Sequence, residues 1–547
     1  MNGRFKIIIF IIFICGALIL GRLFQLQVIN HNFSPPVIDE QTIPACRGRI
    51  FIRENENLLP LAINLNQYHL IIDPQLISEE GRVVEVAEKL APFLGIVIKD
   101  ESQFIREDFQ TDDFKNFLSR LSQKDDHYEL LRKDLTVQEF EEIKSFNLPG
   151  VFFDSVPKRY YPEAEFFGHL TGFTRVIDKK QRGQYGLEEF FDEDLIGIAG
   201  RQIKELSSLQ IYRTVSKPQP GVDIVLTVDR SLQFFVCNLL EKAIKDYNAD
   251  SGSIILLSPK TGAILALANY PYFDPNEYSK AQDLSVFKNS AISDSFEPGS
   301  VFKIITMAGA LDLNIVTPIS LFTDTGFVKI DGETIHNVED ENFGIVTMRE
   351  ILEKSINTGA VYVSGLLGRE SFRNYLKKFG FGGLTNIELS GEVSGNIDNL
   401  EREQLIYLAT ASFGQGIAVT PLQMVTAVGA IANSGQLMKP YIVDEIIDGK
   451  KIIKRKPKII RRVISPSAAA MLSSMMVSVV ENGYGNKAKV SGYLVAGKTG
   501  TAQVPQSGGG YSDEVIHSFV GFAPATNPEF AALVKIDNPK EERFAAH

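Results

Sequence analysis

The chain has 547 residues, enough for three or four folding units at roughly 150 residues each, with two large ones equally allowed. Hydrophobic residues make up 44% and charged residues 22%, which excludes both a disordered chain and a polytopic membrane protein. A net charge of −11 argues against a general nucleic-acid binder, and 3 cysteines with 7 scattered histidines offer neither a disulfide framework nor a metal site.

At the N-terminus, Arg4 and Lys6 precede Ile7–Gly21, an uncharged and almost wholly apolar run. A spanning helix needs about 20 apolar residues. If Arg22 snorkels to the interface, Leu23, Phe24, Leu26 and Val28 supply the missing length. The competing reading is a cleaved signal peptide, but no convincing small-x-small site follows the run. The expectation is an uncleaved single-pass anchor over 7–28, with residues 1–6 as a cytoplasmic tail and the rest extracytoplasmic. Residues 29–45, with Ser34-Pro35-Pro36, read as a tether.

From Cys46 the pattern is mixed. Tyr68–Ile72 alternates like a strand, while Glu80–Phe93 and Val137–Phe146 carry helical apolar spacing. The charge density of Lys99–Lys133 predicts a mobile, solvated insertion. Lys217–Gly221 (Lys-Pro-Gln-Pro-Gly) is the clearest linker, dividing an N-terminal domain over 46–216 from a C-terminal one over 222–547. Asp223–Asp229 is strand-like. A helix from Ser231 follows, with Leu232, Phe235, Val236, Leu239, Leu240 and Ala243 as its apolar positions and Cys237 as core filler. Ser253–Asn269 reads as a hairpin, Ser300 to about Ile431 as a helical middle, and Tyr493–Ile536 as returning strands. Strand, helices, strands predicts an α+β fold.

Three short patterns point to serine acyl-transfer chemistry, and each occurs more than once. Ser-x-x-Lys lies at Ser155/Lys158, Ser285/Lys288 and Ser300/Lys303; Ser-x-Asn at Ser145/Asn147, Ser355/Asn357 and Ser394/Asn396; Lys-Thr-Gly at Lys260 and Lys498. Local structure favours Ser300, which follows Glu297-Pro298-Gly299 and opens the apolar-periodic Val301–Leu313. Unpaired N–H groups at such a helix start favour an oxyanion, and Lys303 falls on the same face one turn on. A lysine there, desolvated and near another cation, can take the serine proton; an ordinary helix cap is the plain alternative. Ser355-Ile356-Asn357 also precedes a helix. Lys498-Thr499-Gly500-Thr501 follows a strand-like run, where an edge strand could pair with an extended substrate and Gly500 would permit close approach.

These three motifs in this order resemble the penicillin-binding, serine D,D-transpeptidase family. The likeness extends to Arg47-Gly48-Arg49-Ile50, Arg159-Tyr160-Tyr161-Pro162 with His169 and Gly172, and Gly186-Leu187-Glu188, which look like the N-terminal module of class B members. Thr261–Ala266, Asp274-Pro275-Asn276, Phe413-Gly414-Gln415-Gly416 and His517–Gly521 look like the transpeptidase domain. Phe296–Ser300 and Phe413–Gly416 look more like division-type (FtsI) or sporulation-related members than elongation-type ones.

The resemblance implies an elongated mixed α/β pedestal beneath an antiparallel sheet with helices on both faces and a helical subdomain. It implies that Ser300 attacks the D-Ala-D-Ala carbonyl of a peptidoglycan stem peptide, with Lys303 as base. Ser355, Asn357 and Lys498 would move protons and bind substrate, Thr499, Gly500 and Thr501 would hold it, and the N–H groups of Ser300 and Thr501 would form the oxyanion hole. β-Lactams would acylate the same serine, without metal or cofactor. The implied setting is the bacterial cell membrane, with a SEDS-type glycosyltransferase and division proteins as partners. Rival readings are a D,D-carboxypeptidase or β-lactamase, in which water is the acceptor, and a non-enzymatic β-lactam sensor or scaffold. Two departures stand out. Ser290 stands where the family pattern has an arginine, so an ion pair is expected to be missing. The sequence also stops at His547, before an expected further strand and covering helix, which predicts a truncated and under-covered sheet.

Overall fold

The computed structural model describes residues 3–25, 38–96, 112–177, 180–205, 211–506, 510–541 and 545. Its first element is the helix Gly3–Phe24, whose stretch Ile7–Phe24 is long and apolar enough to cross a membrane. Residues 26–28 of the expected span lie outside the described residues. At the end of the segment read as a tether, Ile38–Ile43 is a strand, antiparallel to Gly200–Glu205, which pairs in turn with Ile211–Ser216. These elements belong to a first compact unit made of residues 1–45 and 197–220.

The second unit comprises residues 46–196 and 221–547. Its first sheet runs Lys451–Lys454, Val443–Asp448, Asp223–Leu226, Ile50–Glu54, Asn57–Ile72, Glu129–Leu135, with Val151–Tyr160 also on the long strand. Asp223–Leu226 is the seam, parallel to Ile50–Glu54 and antiparallel to Val443–Asp448. Nearby, Glu188 is fully buried between two guanidinium groups, 2.6 Å from Arg47 Nε and 2.6 Å from Arg159 Nε. Arg47 also reaches Asp192 at 2.8 Å.

The described part of the segment Lys99–Lys133 is not a solvated insertion. Asp112–Leu121 is a helix that buries Phe114, Phe117 and Leu121 against Leu70, Ile72, Val86 and Leu90, and Glu129–Leu135 adds a strand. Three apolar residues at helical spacing outweigh the flanking charges, which sit on the opposite face. Residues 99–111 of that segment lie outside the described residues. Glu80–Phe93 is helical only from Val83, because Gly81 takes a positive φ of 67° after the short helix Pro74–Glu79.

A second sheet, all antiparallel, runs Ile264–Tyr270, Ser251–Leu257, Phe530–Asp537, Tyr511–Ala523, Ala496–Pro505. The hairpin expected over Ser253–Asn269 forms, with Ser253 opposite Asn269. Pro421–Ala432, a buried helix, packs on one face, and Arg230–Asp246 on the other. Only half of the apolar face expected of that second helix is used. Val236, Cys237 and Leu240 are buried, while Phe235 and Leu239 face solvent. One face of the last strand is only partly covered, with Phe530 exposed and Ala532, Val534 and Ile536 half-buried. Phe530–Asp537 is bonded on both sides in mid-sheet, buries Ala531 and Leu533, and packs Val534 and Ile536 against Arg230–Asp246.

The middle of the chain is helical, with Met348–Glu353, Asn357–Leu367, Arg369–Phe379 and Leu405–Ser412. It also holds two short ribbons the periodicity did not indicate, Leu321–Asp324 with Gly344–Thr347 and Phe327–Ile330 with Glu333–His336. The fold is α+β, as expected. Where an arginine was expected, Ser290 Oγ lies 2.9 Å from Asn269 Oδ1 and 2.9 Å from Ser253 Oγ, so a neutral hydrogen-bonded group stands in place of an ion pair.

Candidate active site

Ser300 lies in a single 3₁₀ turn, Gly299–Phe302, that runs into the buried helix Lys303–Asp312. The tighter winding eclipses positions three apart, so Lys303 stands in line with Ser300 along the turn. Two neighbours pinch this turn. Gly299, at φ 59°, donates its N–H to Gly414 O at 3.0 Å, and a Cβ on Gly414 (φ 82°) would stand 2.3 Å from Gly299 O. On the other side a Cβ on Gly500 would meet Val301 Cγ1 at 2.8 Å and Pro298 O at 3.0 Å. The turn, the Phe413–Gly416 loop and the edge strand Ala496–Pro505 therefore touch backbone to backbone, and only glycine permits it.

Lys303 Nζ, 1% exposed as a residue, lies 3.0 Å from Ser300 Oγ, 2.8 Å from Asn357 Oδ1 and 3.2 Å from Ser355 Oγ, and also bonds the Ser355 carbonyl. Ser355 holds a positive φ of 55°, uncommon for a residue with a side chain, which turns both its carbonyl and its hydroxyl toward the lysine. Asn357 opens the helix Asn357–Leu367 and donates Nδ2–H to His336 O at 3.0 Å, which leaves Oδ1 as the acceptor facing Lys303. From the edge strand, Lys498 donates to Ser355 Oγ at 3.0 Å and to Thr499 O at 3.0 Å.

Burial governs the charge of both amines. Desolvation, and then the nearby Lys498, push Lys303 well below the ordinary lysine value. Desolvation takes Lys498 down to about 7. A neutral amine has two N–H donors and one lone pair. At Lys303 the Ser355 carbonyl and Asn357 Oδ1 can only accept, so they take the two donors and the lone pair is left for the Ser300 hydroxyl. The arrangement can accept the serine proton.

Thr499 and Thr501 are half-buried on the edge strand, opposite Phe519 and His517, and Thr501 Oγ1 accepts from the Ala545 N–H at 3.1 Å. The other motif copies lie elsewhere. Ser155 and Lys158 are exposed on the strand Val151–Tyr160, Ser285 is bonded to Asp283 at a 3₁₀ turn, and exposed Lys260 pairs with Glu529. Ser145 ends a helix by bonding Glu142 O, and Ser394 bonds Gly395 O.

The sequence reading missed what holds the site from behind. Glu297 accepts from Gly416 N at 2.9 Å and from Tyr511 OH at 3.1 Å, fastening the Phe413–Gly416 loop and the far end of the neighbouring strand beside Ser300. Glu297 and Gly416 were in view as motif residues without a role. His336, which fixes the Asn357 amide, acts through its carbonyl, so its residue type gave no signal.

Residues 252–547 match the family described as the penicillin binding protein transpeptidase domain, and residues 42–226 match the penicillin-binding protein dimerisation domain. The chain is 36% identical over 424 residues to the stage V sporulation protein D of Bacillus subtilis, an alignment that covers 75% of this chain and 64% of that protein. It is 29% identical to the peptidoglycan D,D-transpeptidase FtsI of Escherichia coli, across 100% of this chain and 89% of the relative. Among solved structures it resembles penicillin binding protein 3 of Mycobacterium tuberculosis complexed with aztreonam, with a TM-score of 0.69 and 26% identity over 92% of this chain and 94% of the other. With both domain families matched in one chain and relatives of these two kinds, the chain belongs to the class B penicillin-binding proteins, of the division and sporulation type.

Proposed function

We propose that this protein is a peptidoglycan D,D-transpeptidase that works through a serine acyl-enzyme on Ser300 and is blocked there by β-lactams. The observation that carries the reading is the buried Lys303 amine, 3.0 Å from Ser300 Oγ, with its other hydrogen bonds fixed by Ser355 and Asn357. Ser300 Oγ adds to the carbonyl of the penultimate D-Ala of a stem peptide as its proton passes to Lys303 Nζ. The N–H groups of Ser300 and Thr501 receive the oxyanion. When the C–N bond breaks, the leaving D-Ala amine takes a proton through Ser355 Oγ, which lies between the two lysines. An acceptor amine then attacks the ester, its surplus proton passes to Lys303, and Lys303 hands it on to Ser300 Oγ as the ester C–O bond breaks, so that Ser300 leaves as the hydroxyl.

Lys498, Thr499, Gly500 and Thr501 present the edge strand to the substrate, with Lys498 and the threonines at the carboxylate. A β-lactam follows the first half only. Ser300 opens the lactam C–N bond, and the nitrogen, protonated in place, remains tethered and blocks the acceptor. The helix Gly3–Phe24 anchors the chain in the cell membrane, the positive flank of Arg4 and Lys6 stays inside, and the catalytic domain over 222–547 stands outside on the pedestal of 46–216. The pedestal is the surface for a SEDS-type membrane glycosyltransferase and division proteins. Incubation with a pentapeptide donor, with and without an acceptor amine, tests the reaction. Cross-linked product that requires Ser300 supports it. Release of D-Ala without cross-linking indicates a carboxypeptidase, and absence of both products indicates a sensor or scaffold.

A further inference from the structure

Asp324 is the last residue of the strand Leu321–Asp324 and is 2% exposed. Its carboxylate accepts from Gly326 N at 3.0 Å, Phe343 N at 2.9 Å, Asn337 Nδ2 at 2.9 and 3.1 Å, and Thr358 Oγ1 at 2.6 Å. A buried carboxylate is costly unless its oxygens are satisfied. Desolvation raises the Asp324 pKa, but the bonds from Thr358, the backbone N–H groups and Asn337 outweigh it and leave the net shift downward, so the group stays ionised.

What this carboxylate holds is the start of the helix Asn357–Leu367, which has no side-chain cap of its own at Ile356. The first N–H groups of a helix need partners. Thr358 N finds one in Asn337 Oδ1 at 3.1 Å, so the cap comes from a different segment, itself tied down by Asp324. The preceding residue of that segment, His336, accepts from Asn357 Nδ2 through its carbonyl. Two consecutive residues, His336 and Asn337, thus grip two consecutive residues, Asn357 and Thr358. Asn357 in turn presents Oδ1 to Lys303 at 2.8 Å.

We infer that Asp324, acting through Asn337 and Thr358, is a positioning residue for acylation: it fixes the Ser355–Asn357 turn and hence the hydrogen-bond partners that aim the Lys303 amine at Ser300. This rests on the reading of Lys303 as the base. Asp324 touches neither lysine nor serine in the structure, so its removal should leave binding intact and disturb proton transfer. A small displacement of a catalytic group far from the altered residue can cost about a hundredfold in rate.

The test uses the 547-residue chain in detergent with a fluorescent penicillin, reading the limiting acylation rate, the half-saturating concentration, the pH profile and the melting temperature. Asp324→Asn places an amide N–H₂ among donors, and Thr358→Val removes one hydroxyl at constant shape. Each should lower the limiting rate about tenfold to hundredfold, with half-saturation within about twofold. In both variants the pH midpoint should move downward, because Lys303 loses a firmly placed acceptor that favours its charged form. Thr358→Ser, which keeps the hydroxyl, should restore rate and midpoint. An unchanged rate in Thr358→Val, or a rate loss that follows melting temperature alone with an unmoved midpoint, overturns the inference. Lys303→Ala separates the two levels. If it acylates like wild type, the base reading itself fails; if it is inert while Thr358→Val and Asp324→Asn acylate normally, only the positioning role fails.

Discussion

The amines of Lys303 and Lys498 share one hydroxyl: Ser355 Oγ lies 3.2 Å from the first and 3.0 Å from the second. Two cations this close in a buried site repel, and burial penalises each, so the site holds fewer than two charges near neutrality. One lysine can therefore act as base while the other stays a donor, with a hydroxyl between them to carry the proton.

The nucleophile is tested first by mass. With three Ser-x-x-Lys pairs in the chain, β-lactam treatment should give one adduct, on Ser300. Ser300→Ala should abolish it, and an adduct on Ser155 or Ser285 would contradict the assignment. Lys303→Arg keeps the charge but holds its proton, since a guanidinium has a pKa above about 12. Its acylation rate should fall by roughly a factor of 100 or more with the fold intact.

Lys498 makes a prediction about stability. Its folded value, about 7, lies below the ordinary 10.5, so between these the unfolded chain binds more protons than the folded one. Stability from this group should therefore rise with pH across that window, by up to about 1.4 kcal/mol per unit, and be lowest below about pH 7. Lys498→Met should melt higher than wild type at pH 6, lose that pH dependence, and acylate poorly. Urea unfolding at pH 6 and 9 checks the sign; a Lys498→Met protein less stable at pH 6 would refute it.

Gly500→Ala should both destabilise and slow the enzyme. Its Cβ would stand 2.6 Å from Ser518 Oγ, 2.8 Å from Val301 Cγ1 and 3.0 Å from Pro298 O, and the last is backbone that cannot swing aside. A cost of about 1–3 kcal/mol is expected, as for other overpacked sites, with a reduced acylation rate because the strain falls on the Ser300 turn. Calorimetry and penicillin labelling on one preparation measure both.

Glu188→Ala should be among the most damaging changes far from the site. It strips the shared carboxylate from Arg47 and Arg159, which are 4% and 4% exposed, leaving Arg159 without its carboxylate and Arg47 with Asp192 alone. Losing one partner of such a cluster costs about 3–5 kcal/mol. Thermal unfolding should show a large drop, and a change within about 1 kcal/mol, typical of a surface pair, would mean the cluster is hydrated.

Membrane topology is checked by a reporter fused after Thr42. It should be active only outside the cytoplasm, and the intact chain should sediment with membranes. A soluble form that begins after residue 20 would instead mark a signal peptide.

Local chemistry was written in the sequence itself. An apolar run, glycines beside a serine and a lysine three places on each act within a few residues, so order and spacing were enough to bring Ser300 and Lys303 into view together and to place the Ser253–Asn269 hairpin. Longer range was not legible. Asp112–Leu121 was misread because its charges dominate the composition while Phe114, Phe117 and Leu121 form the buried face. The place of Phe530–Asp537 in mid-sheet was not legible because pairing is decided by what lies beside a strand, and its neighbours come from residues 251–257 and 511–523. The charge state of the site belongs to the same class. Lys303 and Lys498 are 195 positions apart. Only folding removes water from both and sets Ser355 between them, and it is that desolvation, a property of the packed interior with no signature in either residue's neighbours, that loosens a lysine's hold on its proton.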